Sequence, residues 1–198
     1  GYNHPYMMEN KDRLTHAALN KVTNSDVYST EMAEFVETVA RIAQPDYLPY
    51  AFYVEGGTLA VENALKVSFD WKVRKNLASG KGAKGEKILH FKDCFHGRSG
   101  YTMSLTDSPD PRKTLYFPKF DWPRVLNPKI TFPLDEASVA EAEIQSIAEI
   151  KAAINANLDD IAALIIEPIQ GEGGDNHFRE EFFRALRTIC DENEILFI

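Results

Sequence analysis

Residues 161–198 read IAALIIEPIQGEGGDNHFREEFFRALRTICDENEILFI, and this stretch decides the fold. Its first six residues are an apolar run of strand length, which is typical of a strand buried on both faces of a sheet. Apolar side chains at helical spacing follow over residues 178–192, and residues 195–198 form a second apolar run. The order strand, helix, strand predicts two parallel strands joined by a crossover helix.

The same alternation extends toward the N-terminus. A short strand is predicted over residues 88–91, and a helix over residues 144–154, where four isoleucines lie at helical spacing. We therefore expect an α/β fold in which helices flank a mostly parallel sheet. Residues 107–133 are too rich in proline for long elements and predict an extended surface segment.

Two more helices are predicted before residue 88. Phe35, Val36, Val39 and Ile42 form one stripe within residues 30–43, which predicts a helix facing the core, with Ser29 available as a cap. Residues 50–54 are aromatic and β-branched and predict a strand. They lead through a glycine turn into the second helix, where apolar residues recur every four positions from residue 61 to residue 69.

Two parts of a larger protein are expected. Residues 1–45 are predicted to be an N-terminal segment and helix that lead into a large domain, and residues 46–198 to be the first part of that domain. A buried strand needs cover on both faces, so the apolar run at residues 195–198 predicts that the domain is truncated at its C-terminal end.

Composition excludes several classes of partner. Of the 198 residues, 44% are hydrophobic and 26% charged, which is typical of a soluble globular protein. A net charge of −8 gives no long-range attraction to nucleic acid or to an anionic membrane surface, and no apolar run approaches the ~18 residues of a membrane span. Cys94 and Cys190 are too few for a disulfide framework, so reduced thiols in a cytoplasmic protein are expected.

The turn Glu55-Gly56-Gly57-Thr58 stands between the predicted strand and helix. Glycines admit close approach of a ligand, a helix start leaves N–H groups without intrahelical acceptors, and the threonine hydroxyl is a further donor. These donors suit a phosphate. A tight turn with a capping threonine is the alternative, because the fuller glycine fingerprints of nucleotide sites are absent.

Aromatic, imidazole and guanidinium groups follow the strand predicted at residues 88–91. Phe95, His96 and Arg98 could stack on a flat cofactor and hold a carboxylate in a bidentate grip. The alternative is a surface loop in which the phenylalanine belongs to the core and the arginine is solvated.

Two carboxylates follow the strand predicted at residues 161–166. Glu167 stands directly after it and Glu172 five residues later, among three glycines that predict a mobile, polar rim. A carboxylate pair could also serve glycoside hydrolysis, but the sequence supplies no separation for the two groups. The five histidines show no metal-ligand spacing, so no metal is expected.

The order of these segments resembles the successive blocks of class III, or ornithine-type, aminotransferases, which use pyridoxal 5'-phosphate. The matching blocks are Gly57-Thr58 before Glu62-Asn63-Ala64-Leu65-Lys66, then Phe95-His96-Gly97-Arg98, then Glu167-Pro168-Ile169-Gln170-Gly171-Glu172-Gly173. Residues 54–57, 97–101 and 117–124 resemble the lysine 6-aminotransferase branch of the family more than the ornithine or aminobutyrate branches. The resemblance runs from about Asn24 to residue 198 and implies part of the large domain of the fold type I, aspartate aminotransferase-like fold.

The resemblance implies roles in holding the cofactor. Gly57 and Thr58 match the residues that bind its phosphate, and Phe95 matches the aromatic ring that stacks on the pyridine, with His96 beside it. Glu167 matches a carboxylate that lines the cofactor pocket. Many relatives have serine where this chain has glycine at position 56, so backbone groups are expected to contribute more there.

The resemblance also implies roles toward the substrates. Arg98 matches a residue that binds the substrate α-carboxylate, and Glu172 matches a switch residue, which pairs with a distant arginine when lysine binds and swings away when 2-oxoglutarate binds. The implied reaction moves the ε-amino group of L-lysine to 2-oxoglutarate and gives glutamate and 2-aminoadipate semialdehyde. Ornithine, acetylornithine and aminobutyrate are the alternative amino donors.

Family members are homodimers, so a homodimer is expected for the parent protein. The lysine that forms the Schiff base with the cofactor and the aspartate that pairs with the pyridine nitrogen are expected beyond residue 198. We therefore expect these 198 residues alone to be inactive.

Overall fold

The structure, a computed structural model, describes residues 2–21 and 27–198. Asn24, where the resemblance begins, lies outside the described residues. The chain divides into two compact units, Gly1–Phe52 and Tyr53–Ile198.

The first unit is helical. It contains α1 (Pro5–Glu9), α2 (Lys11–Leu19) and α3 (Thr30–Ile42). Helix α3 begins as predicted after Ser29, whose hydroxyl accepts a hydrogen bond of 3.1 Å from the N–H of Met32. Helices α1 and α2 were not predicted, because residues 5–19 carry no long apolar stripe.

The expectation that α3 faces a core is wrong within this chain. No residue of α3 is buried, and the side chain of Ile42 is 68% exposed. The periodicity identified the apolar face correctly, but three short helices offer too little apolar surface to enclose it.

A four-stranded parallel sheet lies at the centre of the second unit, with strand order β2-β1-β3-β6. The strands of this unit are β1 (Lys87–Phe91), β2 (Arg124–Val125), β3 (Ile161–Leu164), β4 (Ile169–Gln170), β5 (Asn176–His177) and β6 (Leu196–Phe197). Strands β4 and β5 form a separate antiparallel hairpin. The predicted parallel α/β architecture is confirmed.

Helices cover both faces of this sheet. They are α4 (Gly57–Ala78), α5 (Thr102–Leu105), α6 (Glu136–Ala156) and α7 (Glu180–Glu192). Ile88 of β1 packs in the core that α4 and α5 cover, whereas its neighbour Leu89 packs in the core beneath α6 and α7. Because successive side chains of a strand point to opposite faces, a strand between two helical layers is apolar throughout.

Two predicted segments differ from the structure. Residues 50–54 form no regular element and pair with no strand in the described part of the chain, and Tyr50 is 94% exposed. Aromatic and β-branched residues favour an extended backbone, but a strand also requires a neighbouring ladder. The proline-rich segment is not only a surface excursion, since it contains a 3-10 helix (Pro111–Lys113) and the buried strand residue Val125.

Smaller differences lie near the C-terminus. Helix α7 begins at Glu180, two residues after the predicted start, because Phe178 lies in the core before the helix. Ile195 is buried as predicted, whereas β6 itself is only half-buried, since it pairs with β3 alone among the described strands.

Two chain connections diverge at the carboxyl ends of β1 and β3. The chain leaves β1 toward β2 on one side, and it leaves β3 toward β6 on the other. Ligands of open α/β sheets bind in the crevice at such a switch point. The loops after β1 and β3 carry the candidate residues, so the topology brings them to one edge of the sheet. None of the helices in the described part of the chain is long and apolar enough to cross a membrane.

Candidate functional site

The amino end of α4 faces open space. Gly56 precedes the helix with φ of +79°, a conformation that glycine adopts without strain, and a Cβ at Gly56 or Gly57 would meet no atom within 4 Å. No side chain of the described residues caps this end. The N–H groups of the first turn are therefore available to an anion.

Gly97 brings the loop after β1 against this helix. A Cβ at Gly97 would lie 2.5 Å from Oγ1 of Thr58 and 2.8 Å from Oγ1 of Thr102, and the backbone has φ of +120°. Only glycine satisfies both conditions without displacement of a neighbour. The absence of a side chain thus lets the Phe95–Arg98 motif lie beside Thr58.

Glu167 joins the loops that follow β1 and β3. Its Oε1 accepts a hydrogen bond of 2.7 Å from the N–H of Phe95. Burial raises the pKa of Glu167, and hydrogen bonds from the N–H groups of Phe95 and Gly171 act in the opposite direction. The carboxylate therefore fixes the position of the residue expected to stack on a cofactor.

His96 is buried with one ring nitrogen unpaired. Its backbone N–H donates to Oγ1 of Thr106 over 3.1 Å, and the Thr106 hydroxyl donates to the carbonyl oxygen of Gly97 over 2.6 Å. The residue is 7% exposed, and Nε2 has no hydrogen-bond partner among the described residues. Because buried polar atoms are nearly always paired, this nitrogen is a candidate partner for a ligand atom.

Glu172 lies near the tip of the hairpin. Its Oε1 accepts a hydrogen bond of 2.9 Å from the Ser108 hydroxyl and forms an ion pair with Lys113. The hydrogen bond from Lys113 lowers the pKa of Glu172, and the charge of Arg98 contributes in the same direction. Arg98 itself is exposed. Glu172 is therefore an anion that lies within the electrostatic influence of Arg98.

The glycine-rich rim forms an antiparallel hairpin that is anchored at Gln170 and Gly173, and its predicted mobility stays a prediction. Gln170 is fully buried, and its Oε1 accepts hydrogen bonds of 3.0 Å from the side-chain amides of Asn127 and Asn176. A Cβ at Gly173 would lie 1.8 Å from the carbonyl oxygen of Asp93, so the hairpin touches the loop after β1 directly. These contacts anchor the hairpin on both sides of Glu172.

Of the predicted site residues, Phe95 and Glu167 are in direct contact, and Thr58 reaches the loop that carries His96 and Arg98. Thr58 lies against Gly97, and Phe95 hydrogen-bonds to Glu167. Glu172 instead faces Ser108 and Lys113, which the sequence did not indicate, because the segment between them carries no recognisable motif. Thr102 and Thr106 are further supporting residues that the sequence did not indicate, and Glu62, which lies in a matching block, was given no contact. Among the described residues, no cluster of histidine, cysteine or acidic side chains could hold a metal ion.

Acidification is expected to destabilise the fold through two buried histidines. Burial lowers the pKa of His96 to about 4, while burial and then the charge of Arg124 lower the pKa of His90 to about 3. The unfolded chain binds protons at these residues near pH 6.5, whereas the folded chain does not. Their contribution to stability is therefore full above pH ~6.5 and declines as the pH falls toward about 4.

Urea unfolding of the whole protein between pH 7.5 and 4.5 would measure this effect. The variant His90→Gln should reduce the slope of unfolding free energy against pH by up to about 1.4 kcal/mol per pH unit, the value for one proton. The exposed His16→Gln is the matched control and should leave the slope unchanged. An identical slope in His90→Gln and in the wild type would contradict the assignment.

This fold and site define an aminotransferase class. The family model described as Aminotransferase class-III matches residues 1–198, so the chain belongs to the class III aminotransferases. The chain is 52% identical over 202 residues to the L-lysine-epsilon aminotransferase of Mycobacterium bovis, covering 100% of this chain and 45% of that protein. It is 45% identical over 203 residues to the protein of the same name from Streptomyces clavuligerus, covering 100% of this chain and 44% of that protein.

A solved structure gives the same result for the fold. The lysine aminotransferase from M. tuberculosis superimposes with a TM-score of 0.94 at 51% identity, covering 100% of this chain and 46% of that chain. The predicted family and fold class are thereby confirmed. The chain spans about half the length of the curated relatives that it matches.

Proposed function

We propose that the whole protein is a pyridoxal 5'-phosphate-dependent aminotransferase that moves the ε-amino group of L-lysine to 2-oxoglutarate. The observation that carries this proposal is that the α4 amino end meets the loop after β1, to which Glu167 of the loop after β3 is hydrogen-bonded, at the switch point of the sheet. The relatives named L-lysine-epsilon aminotransferase support lysine as the donor.

The residues present fit this cofactor. A phosphate requires several donors without intrahelical partners, and the open amino end of α4 with the Thr58 hydroxyl supplies them. A pyridine ring requires an apolar face and buried polar partners. Phe95 supplies the aromatic face, and the unpaired Nε2 of His96 supplies a buried polar atom.

Each residue of the candidate site then has a physical role toward the cofactor. When bound, pyridoxal 5'-phosphate supplies the electron sink that protein side chains lack. Gly57 and Thr58 would bind its phosphate, and Phe95 would fix the plane of the ring. Glu167, by accepting the N–H of Phe95, would keep that aromatic side chain in register with the phosphate turn.

Arg98 and Glu172 would orient the substrates. L-lysine carries a carboxylate at one end and the reacting amine at the other, so a guanidinium that binds the carboxylate directs the ε-amino group toward the cofactor. Glu172 adds a negative charge near that arginine. This negative charge favours L-lysine, which carries two amino groups, and disfavours 2-oxoglutarate, which carries two carboxylates. The difference is consistent with a switch role for this side chain.

The donor is tested by single-turnover kinetics on the whole protein saturated with cofactor. We expect kcat/KM for L-lysine to exceed that for L-ornithine, which is one methylene shorter, by at least about tenfold. The absorbance of the bound cofactor reports each half-reaction. Faster reaction with ornithine or 4-aminobutyrate would overturn lysine as the donor while leaving the aminotransferase class intact.

Assembly and location belong to the same proposal. A homodimer is proposed because the sequence resembles a family whose members are homodimers, and exposed aromatic side chains such as Tyr116 and Phe132 agree with cover by further protein surface. Cys94 and Cys190 are buried free thiols, which agrees with a reducing cytoplasm.

A further inference from the structure

Helix α4 contacts the arginine-bearing loop at two places on one face. Thr58 and Glu62 are four residues apart and therefore lie one turn apart on the same side of the helix. Thr58 meets the loop at Gly97. Glu62 meets it one turn further along, so the two contacts lie on either side of Arg98 in the sequence.

One oxygen of the Glu62 carboxylate accepts hydrogen bonds from several donors in that loop and at the start of α5. Its Oε1 accepts from the hydroxyl of Ser99, from the N–H of Tyr101 over 2.9 Å, and from the N–H of Thr102 over 3.4 Å. Hydrogen bonds to an ionised acceptor are stronger than neutral ones. A charged group thus ties the exposed loop segment around Arg98 to the helix, in addition to the packing of Tyr101 against Phe69.

We propose that Glu62 is a positioning residue, which holds the Arg98 loop on the helix that bears the phosphate turn and so sets the distance between cofactor and substrate carboxylate. This inference rests on the proposed function, in which α4 binds the phosphate and Arg98 the carboxylate. Glu62 touches neither ligand and acts only through the loop.

Another glutamate of the same chain serves as the control for a purely structural role of Glu62. Glu149 of α6 accepts a hydrogen bond of 2.8 Å from the N–H of Leu126, in the loop after β2. It performs the same local task as Glu62, a helix carboxylate that binds a loop N–H, but it contacts no residue of the candidate site. Glu149→Gln is therefore the control for loss of such a bond alone.

The test compares steady-state kinetics of Glu62→Gln, Glu149→Gln and wild type in the whole protein with cofactor. The amide keeps the size of the side chain but loses its charge and one acceptor. For Glu62→Gln we expect KM for L-lysine to rise about tenfold, the effect of one charge-assisted hydrogen bond, with kcat within about twofold. The absorbance spectrum of the bound cofactor should not change. Glu149→Gln should leave KM unchanged.

A donor without the carboxylate provides the second measurement. Pentane-1,5-diamine has the reacting amine of lysine but nothing for Arg98 to bind, so its kcat/KM should change by less than about twofold in Glu62→Gln. An unchanged KM for lysine, a loss confined to kcat, or loss of cofactor would overturn the proposal. So would an equal loss with lysine and with the diamine.

The two proposals fail in different ways. If the wild type prefers ornithine, the proposed donor is wrong, but ornithine carries the same α-carboxylate, and the KM comparison is then made with it. An unchanged KM for the preferred donor overturns the role of Glu62 alone.

Discussion

Gly173→Ala should lower the free energy of unfolding by about 3 kcal/mol, because the new methyl group has no space. Its Cβ would lie 1.8 Å from the backbone carbonyl oxygen of Asp93 and 3.2 Å from the Asp93 Cβ. A backbone atom cannot rotate away as the end of a side chain can. Either the hairpin or the loop after β1 must move, and the hairpin carries Glu172.

Gly171→Ala is the control for this prediction, because it lies in the same hairpin and its Cβ would meet no atom within 4 Å. Its unfolding free energy in urea should lie within about 0.5 kcal/mol of the wild type. Equal stability of Gly173→Ala and Gly171→Ala would show that the loop at Asp93 yields freely. The close contact would then have no energetic importance.

Arg98→Met should reduce kcat/KM for L-lysine about a hundredfold in the whole protein, the cost of losing one side of a charged, hydrogen-bonded pair. Methionine keeps an unbranched side chain but removes the planar donors. The kcat/KM of Arg98→Lys should lie between those of the wild type and Arg98→Met, because an ammonium retains the charge without the bidentate geometry. Because the carboxylate is remote from the reacting amine, most of the loss should be in KM.

Arg112→Met is the control for this second prediction. Arg112 is also an exposed arginine, and it pairs with Asp110 in the 3-10 helix rather than with a site residue. Its kcat/KM should remain within about twofold of the wild type. A comparable loss of activity with pentane-1,5-diamine in Arg98→Met would exclude carboxylate binding as the role of Arg98.

The elements predicted correctly from sequence are those in which burial determines the pattern. Strands β1 and β3 lie between two helical layers, so their apolar runs could be recognised without neighbours. Residues 50–54 have strand composition but pair with no other strand in the described residues. The apolar stripe of α3 indicated a helix correctly, but the side chains of that stripe are not buried within the chain. Pairing and cover are properties of the assembled fold.

The candidate site was predicted only in part, because its motifs are local in the sequence whereas its contacts join distant segments. Gly57, Phe95 and Glu167 stand beside predicted elements in motifs that resemble those of a known family. The contacts of the supporting residues could not be predicted, because Glu62 is 37 positions from Ser99 and Glu172 is 59 positions from Lys113. No local spacing connects such pairs. Only the parallel sheet, which brings distant loops to one edge, makes them neighbours.

The sequence alone therefore determined the alternation of strands and helices, the phosphate-type turn and the class III motifs, because these depend on the local order of residue types. The tertiary structure decided three further features: the anchoring of the hairpin at Gln170 and Gly173, the contact of Gly97 with Thr58, and the hydrogen bonds from the Arg98 loop to Glu62. Each of these is a contact between segments distant in sequence. Its strength depends on distances of a few tenths of an ångström, which residue order does not encode locally.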